Sequence, residues 1–262
     1  MTTHTRTHQD ASVEVAGLRL SYMHAGEGKP LVVLHHSTGN YDWFPFHAEL
    51  AHDRHVIAPD LPGYGQSERP EWARDVRDLA ELLHRGLDRM GLDQVSCIGL
   101  GFGGWVAAEM AVMRPQRFDH LVLVGAAGIR PNDGFITDQM TIDHEEYVRA
   151  GFVDEAAFEG IFGVDVEPRA RELWDYSREM TARIAWKPYM WSYRLPFVLP
   201  EVEAPTLIVH GSEDGIVPRE VASLYRAAIP GSRLEVMVGA GHAPELEREA
   251  EFVALVRAFL DS

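Results

Sequence analysis

Two side chains in the carboxyl-terminal part of the chain have the types and spacing of an acid–histidine pair. Asp214 lies in an acidic turn after the apolar segment 206–209, and His242 lies in a loop after a second such segment, 234–238. In such a pair the carboxylate fixes which imidazole nitrogen carries the proton and stabilises the protonated ring. The other nitrogen is then free to take a proton. We therefore predict that His242 is a general base oriented by Asp214.

A glycine-rich turn at residues 97–105 lies between a predicted strand and an Ala-rich predicted helix. Its alternating glycines, Gly99, Gly101 and Gly103, resemble a dinucleotide-binding loop when taken alone. That interpretation is weak, because the turn follows the fourth or fifth strand and no acidic residue ends a following strand at the expected distance. The same strand–turn–helix arrangement is where a nucleophile elbow, G-x-S-x-G, places its serine. Here Gly101 stands at the serine position.

Two more loops follow predicted strands upstream of this turn: Leu34-His-His-Ser-Thr-Gly39 and Asp60-Leu-Pro-Gly-Tyr-Gly-Gln-Ser67. The first is similar to an oxyanion loop that begins with His-Gly, and the second to a D-x-P-G-x-G-x-S turn. With the elbow, the acid and the histidine in that chain order, the sequence resembles the α/β-hydrolase superfamily over nearly its whole length. The resemblance implies an oxyanion hole formed by the backbone N–H groups of Ser37 and Phe102. It also implies that His35 and His36 line the pocket.

The sequence departs from that family's pattern at two positions. Gly101 has no side chain, so no covalent intermediate can form there. His36 stands where the family often has glycine, which changes the pocket wall and adds a titratable group. Neighbouring hydroxyl and thiol groups are poor substitutes for the nucleophile, because they lie inside a strand or in other loops: Ser96, Cys97, Ser37 and Ser67.

Three interpretations of the missing nucleophile remain open. In the first, the dyad acts directly on water or on an acidic substrate proton, in non-covalent hydrolysis, a lyase step or cofactor-free oxygenation. In the second, the protein is a catalytically inactive relative that binds a ligand or a partner. In the third, Gly101 is a substitution in an ordinary serine hydrolase. We favour the first, because Asp214 and His242 are both retained. Loss of the serine side chain should also leave room for a water or substrate oxygen beside His242.

Strand and helix patterns alternate along most of the chain, which predicts an α/β fold with a mostly parallel, doubly wound sheet. We assign 1–129 and 204–262 to this core, and 130–203 to a helical lid inserted between two strands. The insertion holds 12 of the 25 aromatic residues. Most should pack in its own small core, while Trp186, Tyr189 and Trp191 are candidate substrate contacts. The aromatics predict an apolar or aromatic small-molecule substrate.

Composition excludes several classes of function. The net charge of −16 and the absence of a basic patch argue against a nucleic-acid partner. No apolar run approaches the length of a membrane span, the sole cysteine cannot form an internal disulfide, and the polar residues 1–15 do not resemble a signal peptide. We therefore expect a cytoplasmic protein without a membrane partner, and a homodimer is left open.

The imidazoles of His35, His36 and His242 could together form a metal centre if all three pointed to one place. Adjacent histidines on an extended segment point to opposite sides, so one of the pair should face the core. We therefore predict no metal site, and the dyad chemistry requires no cofactor.

Overall fold

The computed structural model of the protein describes residues 8–262. The first seven residues of the polar N-terminal stretch lie outside that range. In the described chain, eight strands form one sheet in the order β1-β2-β4-β3-β5-β6-β7-β8. The strands are β1 (Gln9–Val15), β2 (Leu18–Ala25), β3 (Lys29–Leu34), β4 (Arg54–Pro59), β5 (Val95–Leu100), β6 (Phe118–Val124), β7 (Thr206–Gly211) and β8 (Arg233–Met237).

The sheet is antiparallel only at its amino-terminal edge. β1 pairs with β2, and β2 pairs with β4, in antiparallel register, whereas every pair from β4 to β8 is parallel. The predicted opening hairpin is confirmed, and its tight turn uses positive φ angles at Ala16 and Gly17. The mostly parallel sheet predicted from the alternation of patterns is confirmed as well.

Helices cover both faces of the sheet. The helices are α1 (Pro45–Leu50), α2 (Val76–Arg89), α3 (Phe102–Met113), α4 (His144–Ala150), α5 (Glu155–Phe162), α6 (Pro168–Ala185), α7 (Leu195–Val198), α8 (Arg219–Ala228), α9 (Pro244–Glu247) and α10 (Glu249–Leu260). Alternate strand residues point to opposite faces. Accordingly, Val32 and Leu34 pack with α2, α3 and α8, while Leu31 and Val33 pack with α1 and α10.

Two helix boundaries differ from the sequence prediction. A helix was expected from about residue 70, but α2 begins at Val76, because the Asp75 carboxylate accepts hydrogen bonds from the backbone N–H groups of Arg77 and Asp78 and caps it there. The closing helix was expected to be continuous from about residue 245. Instead it is divided at Arg248 into α9 and α10.

Between β6 and β7 the chain forms α4 to α7, two isolated bridges and irregular segments. Several aromatic side chains there pack together with Tyr41 of the sheet domain: Phe152, Phe158, Phe162 and Trp174. Helix α6 also lies against the loop after β3, because a Cβ on Gly39 would lie 2.7 Å from Ser177 Oγ. This helical segment therefore covers the carboxyl ends of the central strands. Within residues 8–262, none of the helices has the length and apolar character needed to cross a membrane.

Candidate active site

His242 and Asp214 meet at the carboxyl-terminal edge of the sheet. His242 Nδ1 lies 2.9 Å from Asp214 Oδ2. The other carboxylate oxygen, Oδ1, accepts backbone N–H groups of Ile216 and Val217, each at 2.8 Å. A carboxylate only accepts hydrogen bonds, so Nδ1 carries the proton and Nε2 has a free lone pair. The predicted pair therefore has the geometry of an oriented general base.

The electrostatics of this pair favour the charged forms of both partners. Burial alone would raise the pKa of Asp214, but the His242 ring, its hydrogen bond and the backbone N–H groups more than offset this and lower the pKa. For His242, burial lowers the pKa, but the Asp214 carboxylate and its hydrogen bond dominate, with a smaller contribution from Glu245, and raise the pKa. The pair is thus a strong proton acceptor in a largely buried site.

Gly101 lies at the sharp turn between β5 and α3. Its φ of 52° and ψ of −110° fall in a region that L side chains rarely adopt, which is the strained turn expected of an elbow. The flanking glycines allow close backbone approach, because a Cβ on Gly103 would collide with the carbonyl oxygens of Leu34 and His35. The backbone of an elbow is therefore present although the nucleophile is not.

The space expected beside His242 is smaller than the sequence suggested. An ideal Cβ on Gly101 would lie 2.5 Å from His36 Nδ1 and 2.8 Å from His242 Nε2. The centroids of the two rings are 4.8 Å apart, and their planes are tilted by 54°. The missing side chain does not leave an open void, because the His36 ring closes in on the position that the Cβ would occupy.

His36 is held by an acidic residue that sequence reasoning did not single out. His36 Nε2 lies 2.8 Å from Glu245 Oε1, and the Glu245 side chain is only 1% exposed. Neither His36 Nδ1 nor Glu245 Oε2 has a hydrogen-bond partner among the described residues. The signal was available in part, since Glu245 follows His242 by three residues and lies at the start of α9, but its partner His36 is 209 residues away in the sequence.

His35 has a structural role in the same loop. Its Nε2 accepts the backbone N–H of Leu61 at 2.9 Å, so its Nδ1 carries the proton and donates to the His36 carbonyl at 2.6 Å. Burial is the main cause that lowers the pKa of His35 to about 4. As expected for adjacent histidines, one ring faces the core and the other faces the site. His35 fixes the loop and remains neutral.

The two candidate oxyanion donors lie on either side of the elbow. Phe102 is the first residue of α3, and Ser37 lies in the loop after β3. Within residues 8–262, neither backbone N–H donates a hydrogen bond to another residue. A helix N-terminus and a free loop N–H are both suited to bind a developing negative charge.

The helical segment contributes polar groups that sequence reasoning missed. Ser37 Oγ lies 3.4 Å from Gln139 Oε1 and 3.4 Å from Tyr147 Oη. Gln139 is buried, and its Nε2 is unpartnered among the described residues. Only Tyr189 of the three predicted lid contacts joins this group, because its hydroxyl accepts the Gln139 backbone N–H at 2.9 Å.

The other two predicted lid contacts lie in different surroundings. Trp186 is 56% exposed to solvent, and Trp191 packs against Tyr193 and the guanidinium of Arg130. A residue of the helical segment with more direct bearing on the site is Gly151. Its carbonyl oxygen accepts the backbone N–H of His242 at 2.7 Å.

The other side chains that could replace the serine nucleophile are buried or held in hydrogen bonds that support the fold. Cys97 is fully buried, and burial raises the pKa of its thiol well above the ordinary value. Ser67 Oγ donates to the Asp60 carbonyl and accepts the Ser21 backbone N–H, while Ser96 Oγ donates to Asp119. No cluster of three or more His, Cys, Asp or Glu side chains suited to a metal ion occurs in the described part of the chain.

Comparison with known proteins gives consistent matches along the chain. A model of the alpha/beta hydrolase family matches residues 32–255. A 2-hydroxymuconate semialdehyde hydrolase of Pseudomonas sp. (strain CF600) is 30% identical, over 94% of this chain and 91% of that protein. A 2-hydroxy-6-oxo-2,4-heptadienoate hydrolase of Pseudomonas putida is 29% identical, over 95% of both chains.

Solved structures give the same fold. A bacterial membrane phospholipase A superposes with a TM-score of 0.82 at 25% identity, covering 97% of this chain and 86% of that one. A 2-hydroxy-6-oxo-6-phenylhexa-2,4-dienoate hydrolase from Rhodococcus sp. strain RHA1 superposes with a TM-score of 0.75 at 23% identity, covering 98% and 100%.

Proposed function

Since this chain belongs to the α/β-hydrolase family, we propose that it hydrolyses a small, largely apolar organic substrate without a covalent serine intermediate. His242 is the general base and Asp214 orients it. The observation that carries the proposal is the 2.9 Å contact of Nδ1 with Asp214, which leaves Nε2 directed at the Gly101 position. A base at that place can remove a proton from water instead of from a serine hydroxyl.

Two features support the rest of the reaction. The free N–H groups of Ser37 and Phe102 can stabilise the oxyanion that forms when water adds to a carbonyl carbon. When the tetrahedral intermediate collapses, the protonated His242 can return its proton to the leaving group. These steps use only groups of the chain.

The substrate class is inferred from the relatives and from the surroundings of His36. A cavity of about 50 Å³ beside His36 and Glu245 has five aromatic rings in its lining, those of Tyr41, Phe44, Phe46, Phe162 and Trp174. It suits a short apolar arm of a substrate. The printed names of two relatives describe hydrolases of oxo-dienoate and semialdehyde compounds, so carbonyl compounds of that kind are the first candidates.

The test is a panel of esters, lactones, diketones, oxo-dienoates and oxidisable heterocycles, run on wild type and on His242→Ala. We expect wild-type turnover of at least one carbonyl compound, and a loss of about 10³-fold in kcat for His242→Ala. His52→Ala is the matched control, since this histidine is 48% exposed and lies outside the site. It should retain full activity.

Product analysis distinguishes the kinds of chemistry. In ¹⁸O-labelled water, hydrolysis places one labelled oxygen in the product, whereas oxygenation draws its oxygen from O₂ and a lyase step incorporates none. A wild-type protein that is inert on the whole panel, yet binds one of its members tightly, would favour a ligand-binding protein over an enzyme. A fluorophosphonate probe should not label wild type, because no activated serine takes part.

A further inference from the structure

We propose that His36, held by Glu245, is a second catalytic group, and that it and His242 together hold the water that replaces the serine hydroxyl. This deepens the proposed function and rests on it. The observation behind it is the pair of nitrogens, His36 Nδ1 and His242 Nε2, that approach the Gly101 position from two sides.

The hydrogen bonds of the two rings fix what these nitrogens can do. The carboxylates of Glu245 and Asp214 accept from His36 Nε2 and His242 Nδ1, so those atoms carry the protons. In the neutral rings, the opposite nitrogens are both acceptors. His36 Nδ1 is buried and without a partner in the described chain. A buried acceptor without a partner destabilises the fold, so a donor is strongly favoured there.

The geometry suits a single molecule with two donor hydrogens. The two nitrogens cannot be farther apart than their distances to the Cβ position of Gly101 allow, 2.5 Å and 2.8 Å. One water that donates to both nitrogens, each at about 2.8 Å, spans a distance below this upper limit. A water that donates both hydrogens to the rings keeps its oxygen lone pairs free to attack a substrate.

In the proposed step, water adds to the carbonyl group of the substrate and displaces the leaving group. The water oxygen forms a bond to the carbonyl carbon, and the π electron pair of the carbonyl moves onto its oxygen, which becomes the oxyanion. One O–H bond of the water breaks, and its proton binds to a ring nitrogen. When the oxyanion re-forms the carbonyl, the bond to the leaving group breaks, and the leaving group takes that proton. The two rings return to their neutral forms.

This role also explains why the two departures from the family pattern occur together. A side chain at position 101 and the imidazole of His36 would compete for the same space. The two departures are therefore linked through one volume, because the His36 ring lies where a side chain at position 101 would have to lie.

The first experiment compares His36→Gln with wild type on a substrate found in the panel. Glutamine keeps a group that can donate to Glu245 but removes the Nδ1 lone pair. We expect kcat to fall about 10²-fold with little change in KM, because the loss affects activation of water. Unchanged thermal unfolding would show that the fold is intact. Full activity of a folded His36→Gln variant would overturn the proposal, while loss in His242→Ala alone would leave the proposed function standing.

The second measurement does not depend on a substrate. Long-range ¹⁵N–¹H spectra of the histidine rings report which nitrogen is protonated. At pH 8.5 we expect His36 in the Nε2–H form and His242 in the Nδ1–H form, assigned with the His36→Gln and His242→Ala variants. A proton on His36 Nδ1 would contradict the two-acceptor site even if every member of the panel were inert.

The third experiment uses a fluorophosphonate probe to test whether the His36 ring and a side chain at position 101 compete for the same space. Gly101→Ser alone should label weakly or not at all, because His36 obstructs the new side chain. Gly101→Ser combined with His36→Gly should label strongly, and adding His242→Ala should abolish the labelling. Equal labelling of the single and double variants would show that His36 does not occupy the place of the nucleophile.

Discussion

The site contains two imidazole–carboxylate pairs that differ in how completely their acids are hydrogen-bonded. Asp214 accepts three hydrogen bonds, from His242 and from two backbone N–H groups. Glu245 accepts one, from His36, and its second oxygen has no partner in the described chain. Both acids are about 1% exposed, so burial does not explain the difference.

The difference in hydrogen bonding between the two carboxylates suits the two rings to different tasks. The backbone fixes Asp214 and thereby the orientation of His242, which must present Nε2 in one direction throughout the reaction. Glu245 has no such backbone anchor among the described residues and contacts the site only through His36 Nε2. Under the proposed mechanism, the first pair therefore serves directed proton transfer and the second holds the molecule that reacts.

The largest expected effect is a difference in kcat between variants of the two acids. Asp214→Asn should lower kcat by about 10³- to 10⁴-fold, because the amide can donate to Nδ1 and stabilise the wrong tautomer of His242. Glu245→Gln should lower kcat only about 10-fold, since the amide oxygen can still accept from His36 Nε2. Steady-state kinetics on one panel substrate measures both. Equal losses would show that the two pairs do not differ in task.

An intermediate effect concerns stability. Asp214→Ala leaves two backbone N–H groups and a ring N–H without their acceptor, and should lower the free energy of unfolding at pH 7 by about 3 kcal/mol. Glu245→Ala should cost about 1 kcal/mol. Urea unfolding monitored by circular dichroism provides the comparison. Because the pKa of Asp214 is lowered in the fold, its contribution exists above its ordinary pKa of 3.8 and disappears as the pH falls through the lowered value.

The smallest effect is a shift in the pH profile. The pKa of His242 is raised from 6.5, and the base form exists only above it, so kcat/KM should rise with pH through an apparent pKa above 6.5. The Glu245 carboxylate contributes to that raised value. Glu245→Gln should therefore move the rising limb to lower pH, while Glu251→Gln, at an exposed position on α10, should leave it in place. A shift to higher pH would contradict the assigned electrostatics.

Sequence patterns were sufficient for the frame of the site but not for its centre. Apolar runs and turn residues located the strands and the loops that carry Asp214, His242 and Gly101, because each lies directly after a strand. The cap formed by Asp75 and the break at Arg248 depend on local hydrogen bonds and backbone angles that periodicity does not record.

The missed features depend on contacts between distant parts of the chain. No periodic pattern connects His36 with Glu245, and none indicates that the His36 ring would approach position 101. The same is true of Gln139 and Tyr147, which reach Ser37 from the helical insertion. Conversely, Trp186 was chosen for its residue type and its position in the helical insertion, and its side chain is largely exposed to solvent. Residue type and position are therefore weak guides to which aromatics face a site.

The hydrogen bond from the His242 backbone N–H to the Gly151 carbonyl links the base to the helical insertion. Any outward displacement of the segment around Gly151 must break this bond and expose the amide to solvent. The deuterium exchange rate of that single amide therefore reports how often such displacements occur. Under conditions where each opening leads to exchange, the exchange rate equals the rate at which the insertion opens. If product leaves only when the insertion opens, this opening rate sets the upper limit on turnover.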